Sequence, residues 1–236
     1  MLTLKKTKKT AQIRAGIYSL LSQCFFRPSE ELVASMNQEN LPESLANTVG
    51  VLMGGSHKEK AEKELVKIKN FCSQTEKKSP AETLRLLKVE YNRLFVGPGH
   101  VLAPPYESVY KTRDKDNQLG IVMGEDTIAV RKLYRQAGLE IADSFKDLPD
   151  HIAVELYFMS YLCNLEFLSA DEEEESQAEI LKIKELQKEF LIDHLGTWIA
   201  DFSQAVDKET SSEFYRSIAR ISREWISWEI KRGVEY

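Results

Sequence analysis

Three ionisable side chains lie close together in the second half of the sequence. Asp150, His151 and Glu155 follow Leu148 and Pro149, and the spacing of four puts His151 and Glu155 on one face of a helix. A carboxylate beside an imidazole could move protons, whereas two carboxylates could bind guanidinium groups. The sequence has no GxSxG or Cys/His signature that would supply a nucleophile. Catalysis therefore has little support.

A metal site is also disfavoured. The other histidines, His57, His100 and His194, lie far from the His151–Glu155 pair, without ligand spacing. We predict no metal and no cofactor. The alternative that stays open is a small all-helical enzyme or nucleotide-binding protein that uses Asp150, His151 and Glu155.

A second unusual stretch combines apolar side chains with a rigid turn. Tyr91 and Leu94 lie on an apolar helical stripe, and Phe95 comes just before Gly97 and Pro98. Glycine allows backbone conformations closed to other residues, and proline stiffens the turn. These residues could form the core or one wall of a groove. Both interpretations stay open.

A proline pair follows. Pro104 and Pro105 precede Tyr106 and Glu107, so a tyrosine ring and a carboxylate would stand on a rigid segment. The ring could contact an apolar ligand, and the carboxylate could accept hydrogen bonds from a guanidinium group.

The elements that position these residues are predicted to be helices. Apolar residues recur at helical spacing through most of the chain, as in Phe214, Ile218, Ile221, Trp225 and Trp228. Ser79 followed by Pro80 predicts a helix start, and Asp147 is the predicted cap of a helix that begins near 148. Residues 97–123 are predicted to be a long, irregular Pro/Gly-containing loop. The fold class is therefore all-α, an irregular bundle of about ten helices.

Composition limits the function further. The chain has 236 residues with a net charge of −5, which does not favour nucleic acid as a partner. Three cysteines, Cys24, Cys72 and Cys163, lie in apolar helical patterns and are predicted to be buried thiols. No stretch is apolar enough for a membrane span, and no secretory signal is found at the amino terminus. We predict a single domain, 1–236, with a hinge at 111–124, and a monomer that could form domain-swapped dimers.

Three segments resemble the TorD/DmsD/NarJ family of redox-enzyme maturation chaperones. They are YNRLFVGPGHVLAPPYESVY at 91–110, LPDHIAVELYFM at 148–159 and FYRSIARISREW at 214–225. The resemblance covers nearly the whole chain. It implies an all-helical, non-enzymatic, cytoplasmic chaperone that binds the twin-arginine leader of a molybdopterin-dependent oxidoreductase. Such a chaperone would hold the apo form of the catalytic subunit until its cofactor is installed.

A twin-arginine leader carries two guanidinium groups and an apolar stretch, so its receptor needs carboxylates beside an apolar groove. We expect these groups to be open to solvent. The predicted leader-binding residues are Tyr91, Leu94, Phe95, Gly97, Pro98, Pro105, Tyr106, Glu107, Asp150, His151 and Glu155. A plain oligomerisation module, in which the motifs only pack, is a third hypothesis. The sequence identifies neither the client reductase nor a nucleotide that would modulate release.

Overall fold

The structure is a computed structural model that describes residues 2–37, 41–98, 100–112, 120–142, 146–169 and 175–234. Within these ranges the chain forms eleven α-helices and no named strand, which confirms the all-α prediction. The helices are α1 Leu2–Phe25, α2 Glu30–Asn37, α3 Leu41–Leu52, α4 Gly55–Thr75, α5 Pro80–Tyr91, α6 Glu107–Lys111, α7 Glu125–Gln136, α8 Ile152–Ser169, α9 Glu175–Phe190, α10 Gly196–Glu209 and α11 Glu213–Val234. Two π-helical turns extend α5 and α9, at Asn92–Val96 and Leu191–Leu195.

Local sequence signals explain several helix ends. The Ser79 side chain accepts a hydrogen bond from the Glu82 N–H, and the Glu82 carboxylate accepts one from the Ser79 N–H. This reciprocal pair, with Pro80 at the first helical position, fixes the start of α5 as predicted. At the end of the following π-helical turn, Gly97 has φ = 62°. Residues other than glycine rarely adopt this backbone conformation.

Two sequence predictions about helices need correction. The irregular segment 97–123 contains a short helix, α6, whose five residues are too few to show a periodic pattern. Asp147 does not cap α8, because this helix begins at Ile152. Instead, Asp147 Oδ1 accepts a hydrogen bond from the Leu148 N–H at 2.9 Å. A turn at Pro149 and Asp150 lies between Asp147 and α8. The residue that caps α8 is His151.

The chain divides into two compact units. Unit 1 consists of 1–22, 106–198 and 233–236, and unit 2 consists of 23–105 and 199–232. Each unit is therefore assembled from segments that are far apart in the sequence. The single domain over 1–236 stays a prediction. Part of the predicted hinge at 111–124, residues 113–119, lies outside the described residues.

Unit 1 has an aromatic and polar interior. Phe158 lies 4.5 Å from Tyr134 and 4.8 Å from Phe190, measured between ring centroids. The guanidinium of Arg14 donates to Glu166 at 3.0 Å, and both side chains are buried. These contacts join α1, α7, α8 and α9.

Unit 2 has a cluster of aromatic rings at its centre. Phe95 packs against Tyr91 at 5.1 Å, Tyr215 at 5.6 Å and Phe202 at 6.0 Å. Such tilted and edge-on pairs add to the free energy gained by burying the rings. The cysteines are buried and free, as predicted, and burial raises the pKa of Cys72 to about 12. Among the described residues, no helix has the length and apolar character needed to cross a membrane.

Candidate functional site

In unit 1, the end of the motif segment 91–110 meets the start of the motif segment 148–159. The Glu107 N–H donates to the Asp150 carbonyl at 3.0 Å, and the Ser108 N–H donates to Asp150 Oδ2 at 3.0 Å. Tyr106 and His151 also form an isolated antiparallel bridge. A carboxylate at the first turn of α6 satisfies N–H groups that have no partner within the helix. Asp150 therefore fixes α6 against the start of α8.

Glu107 is enclosed and already has cationic and histidine partners. Its carboxylate is fully buried and accepts hydrogen bonds from Lys111 Nζ at 3.0 Å and His194 Nδ1 at 2.9 Å. Lys111 also contacts Asp126 at 2.8 Å and donates to the Asp193 carbonyl. We name Glu107, Lys111, Asp150, Glu155 and His194 the acidic centre.

His151 serves a helix end. Its Nδ1 accepts a hydrogen bond from the Ala153 N–H at 3.1 Å, so the ring caps α8 in its neutral form. Burial lowers the pKa of His151 to about 4, although the charges of Asp147 and Asp150 act in the opposite direction. An imidazole in this state does not act as a general base near neutral pH, because its Nδ1 lone pair is occupied.

Glu155 is a buried carboxyl group, and no basic side chain of the described residues pairs with it. The Trp198 Nε1–H donates to its Oε2 at 3.1 Å. Burial raises the pKa of Glu155 well above its ordinary value, and the charges of Glu107 and Asp150 raise it further. This environment therefore favours the neutral form of the group. A neutral carboxyl group does not attract a guanidinium group as a carboxylate does.

The solvent-accessible edge of this region is formed by Tyr106 and Asp147. The Tyr106 hydroxyl donates to Asp147 Oδ1 at 2.7 Å, and its ring lies 5.5 Å from the His151 ring in an edge-on arrangement. Asp147 has 38% of its side chain exposed. The edge therefore offers an accessible carboxylate and an aromatic ring, and the buried His151 ring packs against that aromatic ring.

The remaining predicted residues belong to unit 2. Tyr91, Leu94 and Phe95 are 5%, 0% and 4% exposed and belong to its aromatic core. Pro105 is buried as well, whereas Pro98 is exposed and Gly97 is intermediate. Tyr91, Leu94 and Phe95, which were predicted to line the groove, are therefore core residues of unit 2 in this conformation.

The expectation that the site's carboxylates are open to solvent is wrong for this conformation. Glu107, Asp150 and Glu155 are each 0% exposed, and His151 is 2% exposed. The physical reason is that α6 and α8 begin against one another, so the groups that fix these two helices lie between them. Direct contact of these side chains with a leader stays a prediction.

Sequence reasoning missed three residues of this region. Lys111 could have been found, because Glu107 and Lys111 have the spacing of a helical ion pair. His194 and Trp198 come from a segment more than 80 positions further along the chain than Glu107, and no local pattern points to them. Within the described residues, no cluster of His, Cys, Asp and Glu could hold a metal ion.

Comparisons with known proteins point to one family. Residues 56–204 match the family model described as the nitrate reductase delta subunit. The chaperone protein TorD of Shewanella pealeana is 24% identical over 218 residues, which cover 91% of this chain and 87% of the relative. A Haemophilus influenzae protein, named as the probable Tat proofreading chaperone DmsD, is 24% identical over 142 residues, 60% of this chain and 59% of the relative.

One solved structure shares the fold. It is described as a candidate redox enzyme maturation protein from Archaeoglobus fulgidus, is 22% identical, and covers 90% of this chain and 93% of its own. Its TM-score is 0.54. This similarity supports the helical fold alone.

Proposed function

We propose a function from one premise: this chain belongs to the nitrate reductase delta subunit family, whose model matches well over half of its length. The predicted class, a chaperone of the TorD/DmsD type, is confirmed by this membership and by the names of the relatives. Those relatives are named as chaperones, which agrees with the prediction of a non-enzymatic protein.

We infer that the client segment is a twin-arginine leader of a molybdopterin-dependent oxidoreductase. One observation supports this most: two of the three segments that carry the family resemblance meet through the hydrogen bonds that Asp150 accepts from Glu107 and Ser108. Residues held together in this way present Tyr106 and Asp147 at the surface of unit 1. An aromatic ring beside an accessible carboxylate suits a guanidinium group, which can bind the carboxylate and stack on the ring.

The buried residues then have a positioning role. Asp150 fixes α6, and His151 caps α8 and packs against the Tyr106 ring. A change in either residue would displace Tyr106 and Asp147 without removing a direct contact. Glu107 would become available to a guanidinium group only if Lys111 moved, because the Lys111 ammonium now occupies it.

The other predicted lining residues keep a place in this proposal. Pro98 is exposed and Gly97 is partly exposed, so this turn could contact the apolar stretch of the leader. Tyr91, Leu94, Phe95 and Pro105 would support that turn from the core. Binding of the apo catalytic subunit, a location in the cytoplasm and domain-swapped dimers are further parts of the same proposal.

Calorimetric titration with a synthetic twin-arginine leader tests the proposal. We expect Asp147→Asn to weaken binding by about tenfold or more, because a charge-assisted hydrogen bond contributes roughly 1.5–3 kcal/mol. Asp150→Asn should weaken binding too, since it loosens α6. A leader in which both arginines are replaced by lysine should bind more weakly than the twin-arginine leader, because lysine cannot form the bidentate pair.

Asp207→Asn is the matched control, because Asp207 also has 38% of its side chain exposed but lies in α10. Its affinity for the leader should equal that of the unchanged protein. Equal affinity of Asp147→Asn and Asp207→Asn would refute the proposed guanidinium site. No heat of binding with any twin-arginine leader would argue against the proposed client segment.

A further inference from the structure

A groove lies within unit 2, between α4 and α5. It encloses about 580 Å³ and is bounded at one end by Ser211, Ser212 and Glu213 at the start of α11. Its apolar lining comes from Phe71 of α4 and from Leu86, Leu87 and Val89 of α5. None of the predicted leader-binding residues lines this groove.

The apolar groups of the groove are unusually accessible. Val89 is 59% exposed and Leu86 is 43% exposed. Leu87 is buried and forms the floor. Because the accessible side chains border a concave surface lined by α4 and α5, an apolar ridge on a partner could fill it.

The charged groups in the lining are already paired. Glu90 accepts hydrogen bonds from Arg93 and Thr210, and Glu213 pairs with Arg216. Lys67 pairs with Glu64 at 3.0 Å. The groove interior is therefore balanced in charge and offers mainly its apolar surface.

The rim of the groove is basic. Lys63 and Arg85 are exposed, and each lies one helical turn from a lining residue, Lys67 and Val89 respectively. Residues 55–91, which contain α4 and α5, carry nine Lys and Arg against six Glu, a net charge of +3 in a chain of net charge −5. This charge repels a basic leader and attracts an acidic segment.

We propose that the α4–α5 groove binds an amphipathic helix that has an apolar face and acidic flanks, supplied by a partner polypeptide. Apolar side chains at i, i+3 and i+4 of that helix would insert between Phe71, Leu86 and Val89, and its carboxylates would meet the basic rim. The partner segment has the charge opposite to that of the leader. The groove is thus a second docking surface, independent of the one proposed around Asp147.

The concave shape decides between two classes of partner. An anionic membrane would also attract a basic surface with exposed valine and leucine. Membrane-bound helices, however, present a convex apolar face to the bilayer, whereas Leu86 and Val89 border a groove with a buried floor.

The test uses a fluorescent synthetic helix with leucine at i, i+3, i+4 and i+7 and glutamate at the flanking positions, and a matched helix with lysine in place of every glutamate. Fluorescence anisotropy with the full chain should show that the glutamate helix binds at least tenfold more tightly. Val89→Gln should weaken its binding about fivefold, the effect of losing roughly 1 kcal/mol of apolar burial. The matched control, Val51→Gln, changes a valine of α3 that is 65% exposed and should have no effect.

A second pair of variants separates charge from apolar contact. Lys63→Gln/Arg85→Gln should weaken binding and reduce its salt dependence. Arg131→Gln/Lys132→Gln, which removes the same charges from the exposed face of α7, should leave both unchanged.

Several outcomes would overturn the proposal. Equal affinity for the lysine helix would contradict the role of charge. An equal loss of affinity in Val51→Gln and Val89→Gln would contradict binding in the groove. Binding to vesicles that contain anionic phospholipid, if abolished by Val89→Gln while the glutamate helix still binds, would assign the groove to a membrane. Self-association abolished by Val89→Gln would assign it to a second copy. Leader binding is tested with variants of Asp147 and Asp150, whereas helix binding is tested with variants of the α4–α5 groove. Either proposal can therefore fail without the other.

Discussion

Buried carboxyl groups occur in both units, and they are stabilised in opposite ways. In unit 2, Glu90 accepts two hydrogen bonds from Arg93, one from Thr210 and one from the Ser211 N–H. In unit 1, the fully buried Glu155 accepts one from Trp198 and lies near the carboxylates of Glu107 and Asp150. The first group is stable as an anion and the second as a neutral acid.

The pKa values follow from this difference. Burial alone would raise the pKa of Glu90, but the hydrogen bonds from Arg93, Thr210 and Ser211 outweigh it and hold the pKa at about 2. Burial raises the pKa of Glu155, and its acidic neighbours act in the same direction. A buried glutamate therefore strengthens the fold where arginine and backbone donors surround it. Where other acids surround it, the same residue reduces the stability near neutral pH.

The largest expected effect is the loss of the Glu90 anion. Glu90→Leu would leave the donors of Thr210 and Ser211 without their acceptor and the partly exposed Arg93 without its anionic partner, so the free energy of unfolding should fall by about 2–3 kcal/mol. Urea unfolding at pH 7 measures this. Asp207→Asn is the comparison, because Asp207 pairs with Arg220 at the surface, where loss of an ion pair costs about 0.2–1 kcal/mol. Equal losses would contradict the distinction between the two carboxylates.

The second effect is a pH dependence that arises from His151 in unit 1. In the folded chain its pKa is about 4, against about 6.5 when unfolded. The unfolded state therefore binds more protons between these values, and stability is lost as the pH falls from 6.5 to 4. His151→Asn keeps a capping side chain but removes this proton uptake.

Relative to the unchanged protein, His151→Asn should gain about 2 kcal/mol of stability when the pH falls from 7.5 to 5. Urea unfolding at both pH values measures the difference. His100→Asn, which changes an exposed histidine, is the control and should follow the unchanged protein. If His100→Asn and His151→Asn gained equally, the buried neutral histidine would be ruled out.

The smallest expected effect is at Glu155. Replacing this residue should raise the free energy of unfolding, whereas replacing Glu90 should lower it. The folded state holds a proton on Glu155 that the unfolded state releases above about pH 4.5, so stability decreases as the pH rises. Glu155→Gln keeps an acceptor for Trp198 without requiring this proton. We expect a gain on the order of 1 kcal/mol at pH 7, and a smaller gain at pH 4.5.

Glu90→Gln is the paired measurement, and it should destabilise the chain at pH 7, because Arg93 loses its anionic partner. Destabilisation by both glutamine variants would mean that Glu155 is charged in the folded state.

The sequence predicted the helices well, because apolar periodicity and local caps such as Ser79–Glu82 depend on neighbouring residues. It could not show that Glu107 is paired with His194, since that contact joins segments far apart in the chain. It also could not decide whether Tyr91, Leu94 and Phe95 are core or groove, because an apolar residue at helical spacing has the same pattern in both. Asp150 was predicted to bind the leader, and its side chain accepts a hydrogen bond from Ser108 in the helix that begins at Glu107.

The π-helical turn at Leu191–Leu195 has one consequence for the length of this chain. Such a turn contains one residue more than an α-helical turn, so each residue after it is rotated by about 100° around the helix axis. His194 lies in this turn and contacts Glu107. Removal of a single residue here, such as the partly exposed Ile192, would restore a regular helix but turn the imidazole away from its carboxylate. The one extra residue of this turn therefore cannot be removed without separating two side chains that come from distant parts of the chain.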